Sequence, residues 1–309
     1  MDLLIAKRTL DVFAKALLLF TGFQFLFVFS LGIGFTIEKQ SVFEQDSNIF
    51  SLFNHRHLAW TGLFLTLIGL PLAGALGRFA TKKYSRNFYF LGGSWHECIT
   101  GFFTGTIFIL FFFSLLILTG YARLTAFPDR LTPQELIASP LAYALIMLLI
   151  AFNNELVYRG ILIGEWTSLW KNRFSAVLTT GLIYGLMRAW SIQGTFSQRL
   201  LLFFSGFVFS WLMAGIMFYK KSLKYTIGVH AGCYYCLSAL LGIASVGNRL
   251  NVTPFVTEIH GSSIVFGGIL GIENSLLFNV TLLVITLILW RKITIKSPRA
   301  PLETDNHIP

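Results

Sequence analysis

The sequence predicts an all-α protein, a polytopic transmembrane bundle of about eight helices whose N-terminus and C-terminus are both cytoplasmic. Hydrophobic residues make up 55% of the 309 positions and charged residues only 12%, whereas a soluble domain has about 25% charged residues. So few charges cannot cover a surface that faces water. Apolar runs of roughly 20 residues, the length that crosses a bilayer as a helix, recur along the chain. Lys and Arg concentrate in every second connecting segment.

Eight apolar runs are long enough to cross the membrane. In chain order they cover residues 12–36, 58–77, 98–120, 139–163, 174–192, 199–219, 225–246 and 274–290. No small-residue cleavage site follows the first run, so we expect it to be retained rather than removed as a signal peptide. The stretch 262–272 is too short and too Gly-rich to span, which makes it re-entrant or interfacial. The sequence therefore predicts one membrane domain over residues 1–295 and a polar, disordered tail over 296–309.

The basic residues give the orientation of these spans. With the N-terminus inside, fifteen Lys and Arg fall in cytoplasmic segments and six in external ones, as the positive-inside rule requires. The formal net charge of +10 is therefore read as orientation. Nucleic acid is not an expected partner, because no basic patch with exposed aromatic residues lies on a soluble module. We expect a multi-pass protein of the bacterial inner (cytoplasmic) membrane whose surroundings are the lipid bilayer.

The three cysteines do not predict a disulfide framework or a metal site. Cys98, Cys233 and Cys236 are too few for a framework, and buried core cysteines are their simplest interpretation. His230 and Cys233 are three residues apart on one helix face, and Zn²⁺ takes about four such ligands. One His beside a Cys-x-x-Cys is a weak signal, so we predict neither a metal nor any other cofactor.

The polar residues inside predicted spans are the candidates for a functional site. The stretch AFNNELVYRGILIG (151–164) carries Glu155 and Arg159 four residues apart, on one helix face. Arg188 lies in the fifth predicted span, and His230 and Tyr234 lie one turn apart in the seventh. Ionisable groups inside a membrane are costly, usually face the bundle interior and mark functional sites. The alternative is that these side chains only join helices to one another.

Three stretches carry a family resemblance. AFNNELVYRG resembles the first motif of the CPBP family (CAAX-protease and bacteriocin-processing, or Abi, intramembrane peptidases), which is two glutamates, three variable residues and an arginine. GLIYGLMRAW resembles the second motif, an aromatic residue followed four positions later by His. YKKSLKYTIGVHAGCYY resembles the third, where His is followed four positions later by Asn or Asp. The three motifs occur in the family's order, and the similarity covers about residues 95–245.

The resemblance implies a glutamate-dependent endopeptidase buried in a helix bundle, and half of its motif positions are retained here. In the family the first glutamate, helped by a histidine, acts as general base toward water. The remaining His and Asn stabilise the oxyanion, and the Arg supports the second glutamate. The second glutamate, the arginine and the third-motif histidine fall on Glu155, Arg159 and His230.

The other three motif positions are substituted, and they are three of the four positions expected to carry the chemistry. The general base falls on Asn154, the second-motif histidine on Arg188 and the Asn of the third motif on Tyr234. An amide cannot take a proton from water near neutral pH, and an arginine stays protonated. Tyr234 retains a hydrogen-bond donor. Glu155, Arg159 and Arg188 together carry a formal charge of +1, where the family pattern sums to about −1.

Two classes of function are open on this sequence. The first is a non-catalytic relative with a degraded site, which binds a membrane-embedded or lipidated peptide or protein and acts as scaffold, regulator or immunity-type protein. The second is an active intramembrane endopeptidase that processes prenylated (CAAX) or leader peptides, with Glu155 as base. A transporter would predict two repeated halves with discontinuous helices, and the sequence has no such repeat.

Overall fold

The computed structural model describes residues 3–37, 94–125, 133–190, 194–243 and 253–296. Within them the chain is mostly helical, as predicted. The first half holds α1 (Leu3–Ile37), α2 (Trp95–Leu118), α3 (Pro133–Glu155), a π-helix (Leu156–Ile163), α4 (Gly164–Trp170) and α5 (Arg173–Trp190). The second half holds α6 (Phe196–Lys220), α7 (Leu223–Tyr234), a π-helix (Tyr235–Leu240), α8 (Ser263–Phe266), 3₁₀ turns at Gly268–Leu270 and Ile272–Asn274, and α9 (Leu276–Lys296).

Four helices in the described part of the chain are long and apolar enough to cross a membrane: Trp95–Leu118, Pro140–Trp170, Phe196–Lys220 and Leu276–Ile293. They coincide with four of the eight predicted spans. Helices α1, α5 and α7 also form where spans are predicted, and their crossing stays a prediction. The predicted span 58–77 and nearly all of the predicted tail 296–309 lie outside the described residues. The stretch 262–272 is broken into α8 and 3₁₀ turns, in keeping with a segment that does not cross.

The exposed and the buried side chains of helix α2 lie on opposite faces. Ile99, Phe103 and Ile107 lie four residues apart and are exposed, which suits contact with lipid. Cys98 and Ile109 are buried on the other side. The side chains that face the bundle are smaller than those that face outward over the first half of the helix, so α2 can lie close to its neighbour.

That neighbour is α7, and the two helices touch backbone to backbone along a seam of glycines, here called the glycine seam: Gly101 and Gly105 on α2 with Gly228 and Gly232 on α7. A Cβ placed on any of these four glycines would lie 2.0–2.2 Å from a carbonyl oxygen of the opposite helix. Only glycine permits this approach, which is typical of packing between membrane helices. The seam fixes α7, and with it His230, against the rest of the bundle.

Two short strands were not predicted. β1 (Ala122–Thr125) pairs antiparallel with β2 (Val256–Ile259), and Arg123 lies opposite Glu258. Each strand has four residues, which is too short for an alternating pattern to be recognised in the sequence. The sheet joins the end of α2 to the segment before α9 and so positions the 3₁₀ turn at Ile272–Asn274.

Both π-helices begin directly after a predicted site residue. The first follows Glu155 and the second follows Tyr234. A π-helix replaces the usual hydrogen bonds by bonds to the fifth residue along, and such segments are frequent at functional sites. The wider turn changes the direction of the side chains that follow, so Arg159 and the residues beyond it do not keep ordinary α-helical spacing relative to Glu155.

Candidate functional site

Glu155 is the centre of a buried ionic group. Nδ1 of His230 lies 2.6 Å from Oε1 of Glu155, and Nη1 of Arg159 lies 3.2 Å from the same oxygen. The three side chains are 0–2% exposed. With the carboxylate ionised, Nδ1 of His230 is the donor. The structure thus brings together the three retained motif residues, from helix α3, the π-helix after it and α7.

Aromatic rings cover the arginine of this group. The Cζ atom of Arg159 lies 5.1 Å from the ring centre of Tyr184 and 6.0 Å from that of Tyr158. The two tyrosine rings meet edge to face at 4.8 Å. A guanidinium over an aromatic face gains attraction that is strongest where water is excluded. Arg159 is therefore held by a carboxylate on one side and by π-systems on the other.

The group keeps unused hydrogen-bonding capacity. Oε2 of Glu155 and Nε and Nη2 of Arg159 are buried, and no residue of the described chain bonds to them. A buried polar atom without a partner costs about 1–3 kcal/mol, and functional sites are where such costs are tolerated. One oxygen of the carboxylate is thus engaged by His230 and Arg159, while the other is available.

A second polar group lies around Arg188. Its Nη1 donates to the hydroxyl of Tyr234, and its Nη2 donates to Oδ1 of Asn274 at 3.1 Å. The Oγ atom of Ser205 lies 2.9 Å from the same Oδ1, and Nδ2 of Asn274 donates to the carbonyl of Leu270 at 2.7 Å. The substituted residues of the second and third motifs are therefore bonded to each other, and Arg188 is also bonded to the turn before α9.

A small cavity lies beside this second group. Its volume is about 20 Å³, and its walls include Tyr184, Arg188, Ser205, Tyr234 and Glu273. A cavity of this size holds about one water molecule. Arg188 and Tyr234 therefore occupy most of the space at their end of the site, and a peptide cannot enter there without moving them.

Rings connect the two groups into one site. The ring of His230 lies 5.2 Å from that of Tyr234 and 4.9 Å from that of Phe209. Tyr184 contacts Arg159 on one side and lines the cavity on the other. Five of the six sequence-predicted residues thus meet. Asn154 is half-buried, and in the described chain no hydrogen bond links its side chain to either group.

Sequence reasoning missed the contribution of the turn before α9. Glu273 is 6% exposed and Asn274 is fully buried, and both belong to the Ile272–Asn274 turn. The signal is visible in the sequence, because Glu-Asn-Ser interrupts the apolar stretch between 264 and 290, and the predicted span 274–290 begins inside this tripeptide. Adding Glu273 to Glu155, Arg159 and Arg188 brings the formal charge of the site to zero, which corrects the +1 expected from the motifs alone.

The cysteines are buried, as expected for core residues. All three have free thiols, and Sγ of Cys233 lies 3.7 Å from the carbonyl oxygen of Gly105 at the glycine seam. Among the described residues, no three His, Cys, Asp or Glu side chains are grouped so as to hold a metal ion. The expectation of no metal and no other cofactor stays a prediction.

Comparison with known protein families supports the motif resemblance. The family model for type II CAAX prenyl endopeptidases, Rce1-like, matches residues 136–236. The matched segment contains the candidate site residues Asn154, Glu155, Arg159, Arg188, His230 and Tyr234, whereas Asn274 lies beyond it. Neither a curated protein nor a solved structure matches the chain. The family match and the four apolar helices of the described chain together indicate an integral membrane protein.

Proposed function

We propose that this Rce1-like protein is a non-catalytic member of its family that binds a membrane-embedded or lipidated peptide or protein, as scaffold, regulator or immunity-type partner. One observation carries the proposal. Arg188 and Tyr234, which stand at two motif positions of the family, bond to each other, and Arg188 also bonds to Asn274. They leave a cavity of about 20 Å³, so the space beside His230 is filled by the protein's own side chains.

The chemistry of these residues agrees with that geometry. Oxyanion stabilisation needs donors aimed at the position where negative charge develops, and the donors of Arg188 are directed at Tyr234 and Asn274 instead. A guanidinium does not exchange protons as a catalytic histidine does. At the general-base position, Asn154 offers an amide. Peptide hydrolysis through the family's mechanism therefore lacks its base and its second histidine.

The residues and the helix packing that a binding function would use are, by contrast, retained. The family motif residues Glu155, Arg159 and His230 still form a buried, ordered group, and the glycine seam holds α7 in place. We place the protein in the bacterial inner membrane as an eight-span bundle with both termini cytoplasmic. Its partner then reaches the site from within the bilayer, which suits a hydrophobic or lipidated chain.

The alternative function is an active intramembrane endopeptidase for prenylated (CAAX) or leader peptides. The Glu155–His230 contact at 2.6 Å favours it, because a carboxylate held by a histidine is a general-base arrangement. In this version Glu155 takes over as base and uses its available oxygen, Oε2, toward water. Arg188 and Tyr234 must then move to admit the substrate.

A cleavage and binding experiment separates the two functions. The full chain is reconstituted in lipid vesicles and given prenylated and leader-type peptides that carry a photoreactive group. Wild type is compared with Glu155→Ala, with His230→Ala and with Glu165→Ala, a matched removal of a half-buried glutamate ten residues further along. The expected result is crosslinking without cleavage in wild type, and crosslinking that weakens in the first two variants but not in the third.

Restoration of the motif provides the second arm. We expect Asn154→Glu combined with Arg188→His to introduce cleavage, because it returns the base and the second histidine to an intact scaffold. Cleavage by wild type that is lost in Glu155→Ala and kept in Glu165→Ala would establish the alternative function. Absence of crosslinking by every peptide class would remove the binding proposal, whatever the restored variant does.

A further inference from the structure

Basic residues from separate connecting segments meet at one end of the bundle. Nε1 of Trp170 donates to Oγ1 of Thr9 at 3.2 Å. Lys171 follows Trp170 directly, and Lys7 and Arg8 precede Thr9 directly. The start of α1 and the end of α4 therefore place their cations at the same end of the molecule. Lys171, Lys7 and Arg8 are all exposed.

The ends of two further helices lie at the same place. The Cζ atom of Arg173, at the start of α5, lies 4.7 Å from the ring centre of Phe218 near the end of α6. The ring of Trp290, near the end of α9, lies 6.0 Å from that of Phe218. Arg291 and Lys292 follow Trp290 and are exposed. Phe218 thus joins the basic residues of α5 and α9.

The starts of α2 and α7 lie at the same end of the bundle. Nζ of Lys220 lies 4.9 Å from the ring centre of Tyr225, and Nζ of Lys224 lies 5.5 Å from that of Trp95. With Arg173 over Phe218, three cations are held against aromatic rings. Trp and Tyr with adjacent Lys and Arg are the side chains that occupy the boundary between hydrocarbon and headgroups.

These residues define what we call the basic end: Lys7, Arg8, Lys171, Arg173, Lys220, Lys221, Lys224, Arg291 and Lys292. All but the half-buried Lys224 are exposed. Beside them, the carboxylate of Glu97 accepts a hydrogen bond from the hydroxyl of Ser222. The other end of the described bundle has a mixed character, with Arg123 opposite Glu258 and Arg199 at the start of α6.

We propose that the basic end binds the anionic phospholipid headgroups of the leaflet it faces. The cations are distributed over the ends of six helices, and three of them lie against aromatic rings. This arrangement matches a layer of phosphates rather than one soluble molecule. Each Lys or Arg near an anionic surface changes the affinity roughly fivefold. The inference does not depend on the proposed function, because none of these residues lies in the Glu155 or Arg188 groups.

Lipid selectivity of the reconstituted full chain tests the proposal. Spin-labelled phosphatidylglycerol and phosphatidylcholine are compared for association with wild type in phosphatidylcholine vesicles. The charge-removing variant is Lys220→Gln with Lys221→Gln, and the matched control is Arg123→Gln with Arg199→Gln at the other end. We expect wild type to prefer phosphatidylglycerol, the first variant to lose at least about fivefold of that preference, and the control to keep it.

Soluble competitors distinguish a headgroup layer from a site for free phosphate. Inorganic phosphate and chloride are added at equal ionic strength, and we expect them to weaken the preference for phosphatidylglycerol equally, by screening. Stronger competition by inorganic phosphate would identify a phosphate site and overturn the proposal of a lipid surface. Equal association of both lipids with wild type, or equal losses in the variant and the control, would overturn it as well.

Discussion

Replacing Gly105 by alanine is expected to push helices α2 and α7 apart. The new Cβ would lie 2.2 Å from the carbonyl oxygen of Val229, while ordinary contact begins at 3.4 Å. The obstacle is backbone, so the helices must separate locally by about 1.2 Å. Overpacking costs typically 1–3 kcal/mol, and a weakened Cα–H···O contact adds about 0.5–1 kcal/mol. Alanine's better helix propensity returns up to about 1 kcal/mol. The expected net loss is about 2 kcal/mol.

The matched control is Gly22→Ala in α1, where a Cβ would meet no atom of the described residues within 4 Å. There we expect no loss in the free energy of unfolding. Both variants are unfolded reversibly in mixed micelles and followed by tryptophan fluorescence. The rate of maleimide labelling at Cys233, whose Sγ lies 3.7 Å from the Gly105 carbonyl, is a local readout that should rise only in Gly105→Ala. Equal stability and equal labelling of the two variants would refute the close-packing argument.

Three further variants test the polar groups and one helix start. Arg159→Met leaves the carboxylate of Glu155 buried with only its histidine, so we expect a loss of about 3–5 kcal/mol in the free energy of unfolding. Adding Glu155→Gln removes the buried charge and should make the loss smaller; a double variant as unstable as the single one would contradict this. Arg188→Met removes the donor to Tyr234 and should lower the free energy of unfolding by about 1–3 kcal/mol. It should also enlarge the cavity, as measured by xenon binding; an unchanged free energy of unfolding would show that the bond is not formed. Thr195→Ala removes the capping box of α6 and should lower the free energy of unfolding by about 1 kcal/mol, measured in the same micelles; no change would mean that the cap is not populated.

The helices were predictable because a helix that crosses a membrane needs a long run of apolar residues, which is visible in the sequence. Apolar runs such as 98–120 and 199–219 matched helices that can cross a bilayer, since the length needed is fixed by the thickness of the hydrocarbon. The two strands and the π-helices have no comparable sequence pattern. Four-residue strands are too short for a pattern, and a π-helix is produced by packing around particular side chains rather than by the propensity of its residues.

The site was predictable only as far as its residues lie in recognisable motifs. Spacing placed Glu155 and Arg159 on one face, and the family resemblance connected them to His230 across 75 residues. No spacing rule connects Arg188 to Asn274, which is 86 residues away and outside the matched segment. That contact depends on how the turn before α9 folds back on α5 and α6, which is a tertiary property.

The separation of Glu155 from His230 also has a consequence for biosynthesis. A ribosome adds about 5–20 residues per second, so the 75 residues between these partners take about 4–15 s to appear. During that interval the span with Glu155 must enter the bilayer without its histidine. Arg159, on the same span and one turn away, is the counter-charge that is already present. We therefore expect loss of Arg159 to lower the yield of membrane-integrated chain before any mature protein exists to be unfolded.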